Sequence, residues 1–281
     1  MLLRCYVRSL LLAATLFLMS LTVSAEPASS LWLSYSQDEE GAKSTGLSLQ
    51  LGLSEDDTLQ IGGGWSDSDS FNDERLLTHR YLLGYNTLRL APVALNVFYE
   101  YWGKADELVI HTGGLGVLYM AEDYTAGLNL EYRDITLYTR TFNVGQQQAS
   151  IDSPGIGPDV ELYAGNWQWR VHGMWYDYSE DITQLNTLRA IFLIGIKTYD
   201  RASALNNWLA GTTLRYRFEH YTVGISYLRS QSALDRMESD SYSLITEFRP
   251  GKQWTLELEL GQVADDDSET AYGSVGIGLH F

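Results

Sequence analysis

Apolar and polar residues alternate in short segments along most of the chain. In the last segment the polar or small residues are Ser274, Gly276, Gly278 and His280. The apolar residues between and after them are Val275, Ile277, Leu279 and Phe281. A period of two is the pattern of a β-strand with one apolar and one polar face. After residue 25 we find no helical stripe of twelve residues, so the pattern predicts an all-β protein.

The alternation predicts sixteen strands. They lie near residues 30–37, 44–53, 58–66, 76–86, 93–103, 108–120, 124–133, 135–142, 159–165, 167–177, 188–199, 208–218, 221–230, 240–249, 253–263 and 270–281.

This count depends on the step from Arg133 to Asp134. The apolar residues are even-numbered through Tyr132 and odd-numbered at Ile135 and Leu137. A tight turn there gives sixteen strands, whereas a bulge would merge 124–142 into one strand. Bacterial barrels have even strand counts, so segment 159–165 would then drop out and leave fourteen strands.

Two architectures fit such strands: a soluble β-sandwich or β-helix, and a transmembrane barrel. The polar faces mix Glu, Arg, Asn, Gln, Ser and Gly, as the lumen of a barrel does. Aromatic pairs flank short turns, as in a girdle at a membrane surface; the pairs are Phe218–Tyr221, Phe248–Trp254 and Tyr119–Tyr124. Longer acidic connections such as 66–74 alternate with the short turns. The sequence therefore predicts a closed antiparallel transmembrane β-barrel, because closure leaves no unpaired edge in lipid.

The first 25 residues have the composition of a secretory signal peptide. Arg4 and Arg8 precede an apolar run, and Val23 and Ala25 occupy the small-residue positions of a cleavage site. A membrane anchor is the alternative. Cys5, in this leader, is the chain's one cysteine, so disulfides do not stabilise the rest. We expect residues 26–281 to form a single barrel domain.

The charge of that domain is strongly negative. Removing the two leader arginines leaves 19 − 2 = 17 basic residues against 36 acidic ones, a formal charge of −19. A nucleic-acid binder needs a basic face, so we expect no nucleic acid as a partner.

The terminal pattern resembles the C-terminal strand signature of Gram-negative outer-membrane β-barrel proteins. The resemblance implies an integral multi-pass protein of the cell outer membrane, in contact with lipid and lipopolysaccharide. It implies that the barrel assembly machinery reads Val275, Ile277, Leu279 and Phe281 during insertion. The last strand then closes the ring against the first, near residues 31–36. A homo-oligomer and an envelope complex stay open as further assemblies.

We find no motif for catalysis, a cofactor or a metal. The acidic segment 66–74 has Asn72 where a calcium loop needs glycine, and no helix follows the glycines at 113–116. The five histidines lack metal-ligand spacing. His172 has no serine or acid tied to it by a motif, although a catalytic pair across strands would escape sequence inspection.

The predicted lumen carries charged groups on its polar face. They comprise a basic wall and separate acidic walls, together with one amide; the residues are Arg170, His172, Arg189, Lys197, Arg215, Arg217, Glu247, Glu257, Glu259, Glu100, Glu131 and Asn129. Sixteen strands would leave a water-filled channel. The sequence therefore favours a porin-like channel for small polar or charged solutes. The alternatives are a salt-bridge-filled accessory barrel of an envelope or export complex and a barrel-embedded lipid-modifying enzyme.

The stretch 143–158 is rich in Gln, Gly and Pro and contains no clear alternation. Counting turns back from Phe281 places it on the periplasmic side, and folding into the lumen is the alternative.

Overall fold

The computed structural model describes residues 29–69, 75–104, 108–141, 145–179, 205–233, 236–265 and 268–281. Within these ranges, no helix is long and apolar enough to cross a membrane.

Fourteen strands of the described residues form one closed antiparallel ring in chain order. They are β1 (Ser30–Asp38), β2 (Lys43–Gly52), β3 (Asp57–Asp69), β4 (Arg75–Leu90), β5 (Val93–Lys104), β6 (Leu108–Met120), β7 (Tyr124–Thr141), β8 (Gly145–Ala164), β9 (Trp167–Tyr176), β10 (Asn206–Arg217), β11 (Tyr221–Ser232), β12 (Glu238–Phe248), β13 (Trp254–Asp265) and β14 (Glu269–His280).

The preferred count of sixteen strands is wrong, and the alternative of fourteen is correct. Strand β7 runs through residues 133 and 134 without a turn or a register shift, since Arg133 pairs with Thr112 and Asp134 with His111. Segment 159–165 does not drop out, because it belongs to β8. Strand β9 pairs directly with β10, so the ring closes without 188–199, a segment outside the described residues.

The expected position of segment 143–158 is also wrong. Residues 145–158 form the first part of β8 and pair with β7 along its length. Thr141 at the end of β7 and Gly145 at the start of β8 lie at the end of the ring opposite the chain termini, because β7 starts at the turn 121–123, on the termini's side. The Gly and Pro content that suggests a loop has a local reason: a Cβ on Gly157 would lie 1.8 Å from the Gly173 carbonyl oxygen, so only glycine fits there.

Closure between the first and last strands is confirmed. Leu31 pairs with Leu279 and Ser36 with Ser274. Beyond the strands, Phe281 donates its amide to the Ser29 carbonyl at 3.0 Å and accepts the Ser29 amide at 3.1 Å. The ring therefore has no free edge in its described part.

The outer surface carries an apolar belt. On β13, Leu256, Leu258 and Leu260 are exposed, while Glu257 and Glu259 between them are half-buried. The belt on β7 runs from Tyr124 to Tyr132, nine residues, which is the length that a tilted strand needs to cross a bilayer.

Aromatic side chains border the belt at the end where the chain termini and short turns lie. Phe218 stacks on Tyr221 at 4.3 Å between centroids, and Tyr119 lies 6.2 Å from Tyr124. Rings in this position form the girdle of a transmembrane barrel. An apolar exterior around a polar interior is the inverse of a soluble protein, so the ring spans a membrane.

The phase change in β7 marks the place where the strand leaves this belt. Tyr132 and Asp134 point outward, and Ile135 is fully buried inside the ring. It packs in an apolar cluster that fills part of the interior at the end away from the termini. The members of this inner apolar cluster are Trp102, Leu108, Ile110, Ile135, Ile151, Leu205 and Ala233.

Candidate functional site

The candidate site is the interior of the ring. The structure places Glu100, Asn129, Glu131, Arg170, His172, Arg215, Arg217, Glu247, Glu257 and Glu259 on the inner face, in alternation with the outward apolar residues. Arg189 and Lys197 lie outside the described residues. At the closing strand, Val275 and Ile277 point outward into the belt, and Leu279 shares their face.

Two arginines form ion pairs across neighbouring strands in this interior. Arg170 on β9 donates from Nε and Nη2 to the two carboxylate oxygens of Asp159 on β8, at 2.9 and 2.6 Å. Arg80 on β4 donates from Nη2 to Glu100 on β5 at 2.7 Å. The two bonds between Arg170 and Asp159 fix both of these side chains in one orientation.

A third arginine belongs to a packed network. Arg133 on β7 is buried, and its guanidinium carbon lies 3.7 Å from the ring centroid of Tyr176 on β9. Arg133 donates to Glu131 at 3.3 Å, and the Tyr176 hydroxyl donates to the same carboxylate at 2.8 Å. This network fixes the inner wall of β7 to that of β9 and borders the inner apolar cluster.

The ends of β12 and β13 that lie nearer the chain termini carry adjacent carboxylates. Glu247 pairs in register with Glu257, and both face inward. Arg249 donates from Nε to Glu247 at 2.5 Å, and Arg215 interacts electrostatically with Glu257. The separation into a basic and several acidic walls is therefore incomplete. The predicted set of inner charges does not include Asp159 and Arg249, which pair with Arg170 and Glu247.

The ring interior is open to water at the two inner ion pairs on β4 and β9. The Arg80 side chain is 53% exposed and the Arg170 side chain 50% exposed, although both point inward. An inward-facing guanidinium that is half exposed has open space next to it inside the ring. The interior is thus not packed solid at these positions.

The inner apolar cluster closes a different part of the interior. Ile135 and Ile151 from β7 and β8 are 1% and 0% exposed, and Leu205 at the start of β10 packs against them. Tyr178 packs on this cluster and donates to the Asn206 carbonyl at 2.8 Å. Burial raises the pKa of the Tyr178 phenol, so the group stays a neutral donor.

A cavity of ≈ 300 Å³ lies against the inner faces of β1 to β5 and meets the inner apolar cluster at Trp102. Its inward lining consists of small, hydroxyl, amide and indole groups with one arginine: Trp32, Ser34, Ser44, Gly46, Ser48, Gln60, Gly62, Gly64, Ser66, Thr78, Arg80, Leu82 and Trp102. We call it the β1–β5 cavity. These residues carry little charge and so have no signal among the predicted charged groups, although Arg80 and Trp102 lie on the polar faces of their predicted strands.

His172 lies on the inner face beside Arg170 and Asp159. Its Nδ1 atom is buried without a hydrogen-bond partner in the structure. In the described part of the chain, no three His, Cys, Asp or Glu side chains are grouped as metal ligands. Part of the acidic segment 66–74, residues 70–74, lies outside the described residues.

No family model matches the chain, and no curated protein matches it in sequence. Solved structures do match. The chain superposes on the CymD monoaromatic hydrocarbon channel with a TM-score of 0.54 and 9% identity, over 92% of this chain and 88% of that one. It matches CdiB from Acinetobacter baumannii with a TM-score of 0.51 and 10% identity, over 92% of this chain and 61% of that one.

A further match is OmpTdeltaL8, a loop L8 deletion mutant of an outer membrane protein of Vibrio cholerae. The TM-score is 0.47 at 9% identity, over 90% of this chain and 98% of that one. At these identities the first two matches show the fold. This chain has the fold of outer-membrane β-barrel proteins.

Proposed function

We propose that the protein is a porin-like channel of the cell outer membrane that conducts small polar solutes through the ring interior. The half-exposed, inward-facing guanidiniums of Arg80 and Arg170 support this proposal most directly. Fourteen strands enclose more space than the eight whose side chains just fill a barrel. The likeness to the CymD channel agrees with a conducting interior and says nothing about this protein's solute.

A structural or accessory barrel is the second candidate. The inner apolar cluster and the Glu131–Arg133–Tyr176 network favour it, because both fill interior volume with mutually satisfied groups. They occupy the inner faces of β5 to β9, together with Leu205 just before β10 and Ala233 just after β11, at one end of the ring. Neither group contributes a residue to the lining of the β1–β5 cavity on β1 to β4. A channel along these strands is therefore compatible with an interior that is filled elsewhere.

We do not propose a catalytic role. A lipid hydrolase needs a nucleophile, a base and an orienting group within hydrogen-bond reach. His172 is the inward histidine flanked by charge, and its neighbours are Arg170 and Asp159. Neither neighbour is a hydroxyl or thiol nucleophile, which a serine- or cysteine-type hydrolase needs beside its imidazole.

The test is the conductance of the purified, refolded protein in a planar bilayer at 1 M KCl. We expect discrete steps from an open interior. A matched control is the same preparation unfolded by heat, which carries equal protein and detergent. Heat-modifiable, folded protein that inserts without any conductance would instead support the filled barrel.

A further inference from the structure

The β1–β5 cavity has an electrically neutral lining apart from one paired cation. Hydroxyls, an amide, glycines, indoles and the Leu82 side chain form its inner surface, and no carboxylate of the described residues belongs to the lining. Arg80, at its margin, donates to Glu100 at 2.7 Å. A site of this kind cannot replace the hydration of an ionised solute, whereas it can satisfy neutral hydroxyl groups.

Several of the polar groups are available to a ligand. Ser36 and Ser44 bond each other at 2.7 Å, and Ser66 and Thr78 at 2.5 Å. By contrast, the side chains of Ser34, Ser48 and Gln60 make no hydrogen bond to another described residue. Hydroxyls and amides both donate and accept, which matches a solute that carries several hydroxyl groups.

Glycine and tryptophan give the cavity its shape. A Cβ on Gly46 would lie 2.7 Å from Ser34 Oγ, so a larger residue there would fill the space. Trp32 lines the cavity, and Trp102 belongs both to its lining and to the inner apolar cluster. The indoles supply apolar area for a carbon skeleton between the polar groups. The volume of ≈ 300 Å³ is at the small end of ligand pockets.

We infer that the β1–β5 cavity is a subsite for neutral, polyhydroxylated, ring-sized solutes, the monosaccharide class, on an off-centre path through the ring. The inference rests on the proposed channel function and specifies its solute. The solute passes along the Ser and Gly faces of β1 to β4, because the inner apolar cluster begins at Trp102 on β5 and occupies the interior beyond it. Charged analogues of equal size are disfavoured by the cost of losing water at a neutral wall.

The experiment compares three solutes with one carbon skeleton. Proteoliposomes take up isotopically labelled D-glucose, D-glucuronate and D-glucosamine, which all form pyranose rings, at 1 M salt, where a screening length of about 3 Å removes the field of the mouth. We expect glucose to enter about three- to tenfold faster than either ion, the factor given by one or two uncharged hydrogen bonds. Equal rates for the three solutes would overturn the inference.

Matched variants locate the effect. Ser48→Asp and Gln60→Glu place a carboxylate in the cavity, and we expect them to abolish the glucose advantage and favour glucosamine. Ser226→Asp places the same charge on the inner face of β11, which does not line the cavity, and the order of the three rates stays that of the wild type. A shift in Ser226→Asp equal to that in Ser48→Asp would contradict an off-centre path.

Measuring the KCl conductance of the wild type and of each variant separates the test of the channel from the test of the subsite. Variants that conduct KCl as the wild type does are folded and open, so their solute order tests the subsite alone. A wild type that conducts KCl but does not discriminate among the three solutes refutes the subsite and leaves the channel. A wild type without KCl conductance refutes the channel and the subsite with it.

Discussion

Single residues decide how tightly the ring closes. Trp32 on β1 turns its indole inward over the last strand and meets His280 edge-on at 5.9 Å. A Cβ on Gly278 would lie 2.8 Å from Cε2 of the Trp32 indole. A Cβ on Gly276 would lie 3.9 Å from the nearest indole atom, Cε3. The absence of a side chain at Gly278 thus lets the indole lie against the backbone at the junction of β1 and β14.

Gly278→Ala should therefore destabilise the folded barrel. The added methyl group overlaps three indole atoms, and overpacking of this kind costs about 1–3 kcal/mol. The measurement is urea-induced unfolding in lipid vesicles. Gly273→Ala is the control on the same strand, because its Cβ meets only ordinary contacts, with Leu260 Cδ2 at 3.4 Å.

The double variant Gly278→Ala with Trp32→Ala gives a further check. If the indole causes the destabilisation, the two changes are strongly non-additive, since residues in contact couple energetically. Simple additivity would show that the cost of Gly278→Ala arises elsewhere.

At the scale of the strands, the outward belt decides which substitutions are tolerated. Leu258→Arg puts a charge into lipid near mid-strand and should cost about 2–4 kcal/mol. Glu257→Arg, one residue away, keeps its charge inside the ring beside Glu247 and should cost less. The check is the free energy of unfolding of both variants in the same vesicles; equal losses would mean that the facing of β13 is reversed.

The period of two was sufficient to predict most strands and the facing of the belt. The period of two did not predict the structure at Ile135, because the sequence shows only that the apolar residues change from even-numbered to odd-numbered positions. A turn, a bulge and an exit from the bilayer into an apolar interior all produce that change. In β8 it failed because the two faces are not distinguished by polarity there. Ile151, Ser153 and Gly155 are buried on the inner face, whereas Asp152 and Pro154 are exposed on the outer face.

The site was less predictable than the fold. Alternation along a strand separates the side chains into two faces, and in the structure Glu257 and Arg170 lie on the face opposite the apolar belt. It does not give the partner of a side chain, because partners depend on register: Arg170 meets Asp159 on β8 through pairing that no local pattern encodes. The neutral cavity depends on five strands at once and has no motif.

For the whole molecule, the charge distribution sets ion selectivity. Asp67 and Asp265 lie at the mouth away from the chain termini, and an acidic mouth concentrates cations over about 10 Å at 0.1 M salt. We therefore expect a mild cation preference at low salt that fades as the salt concentration rises, read from the reversal potential across a salt gradient.

Inner charges should modulate that preference in opposite directions. Replacing Arg215 and Arg217 with Glu removes the opposing cations and should strengthen cation preference. Replacing Glu257 and Glu259 with Lys should weaken it. Identical reversal potentials for the wild type and both double variants would show that these four side chains do not face the ion path.

The unequal strand lengths have a consequence for how the protein meets its surroundings. Strands β7 and β8 contain 18 and 20 residues, against 9 and 10 in β1 and β2, which lie across the ring. At about 3.3 Å per residue, the extra eight or more residues raise that side by roughly 25 Å along the strand. At the end away from the chain termini, strands β7 and β8 therefore extend further than β1 and β2. Among the described strands, we therefore expect a large molecule that approaches this end to meet β7 and β8 first, whereas β1 and β2 obstruct access to the β1–β5 cavity less.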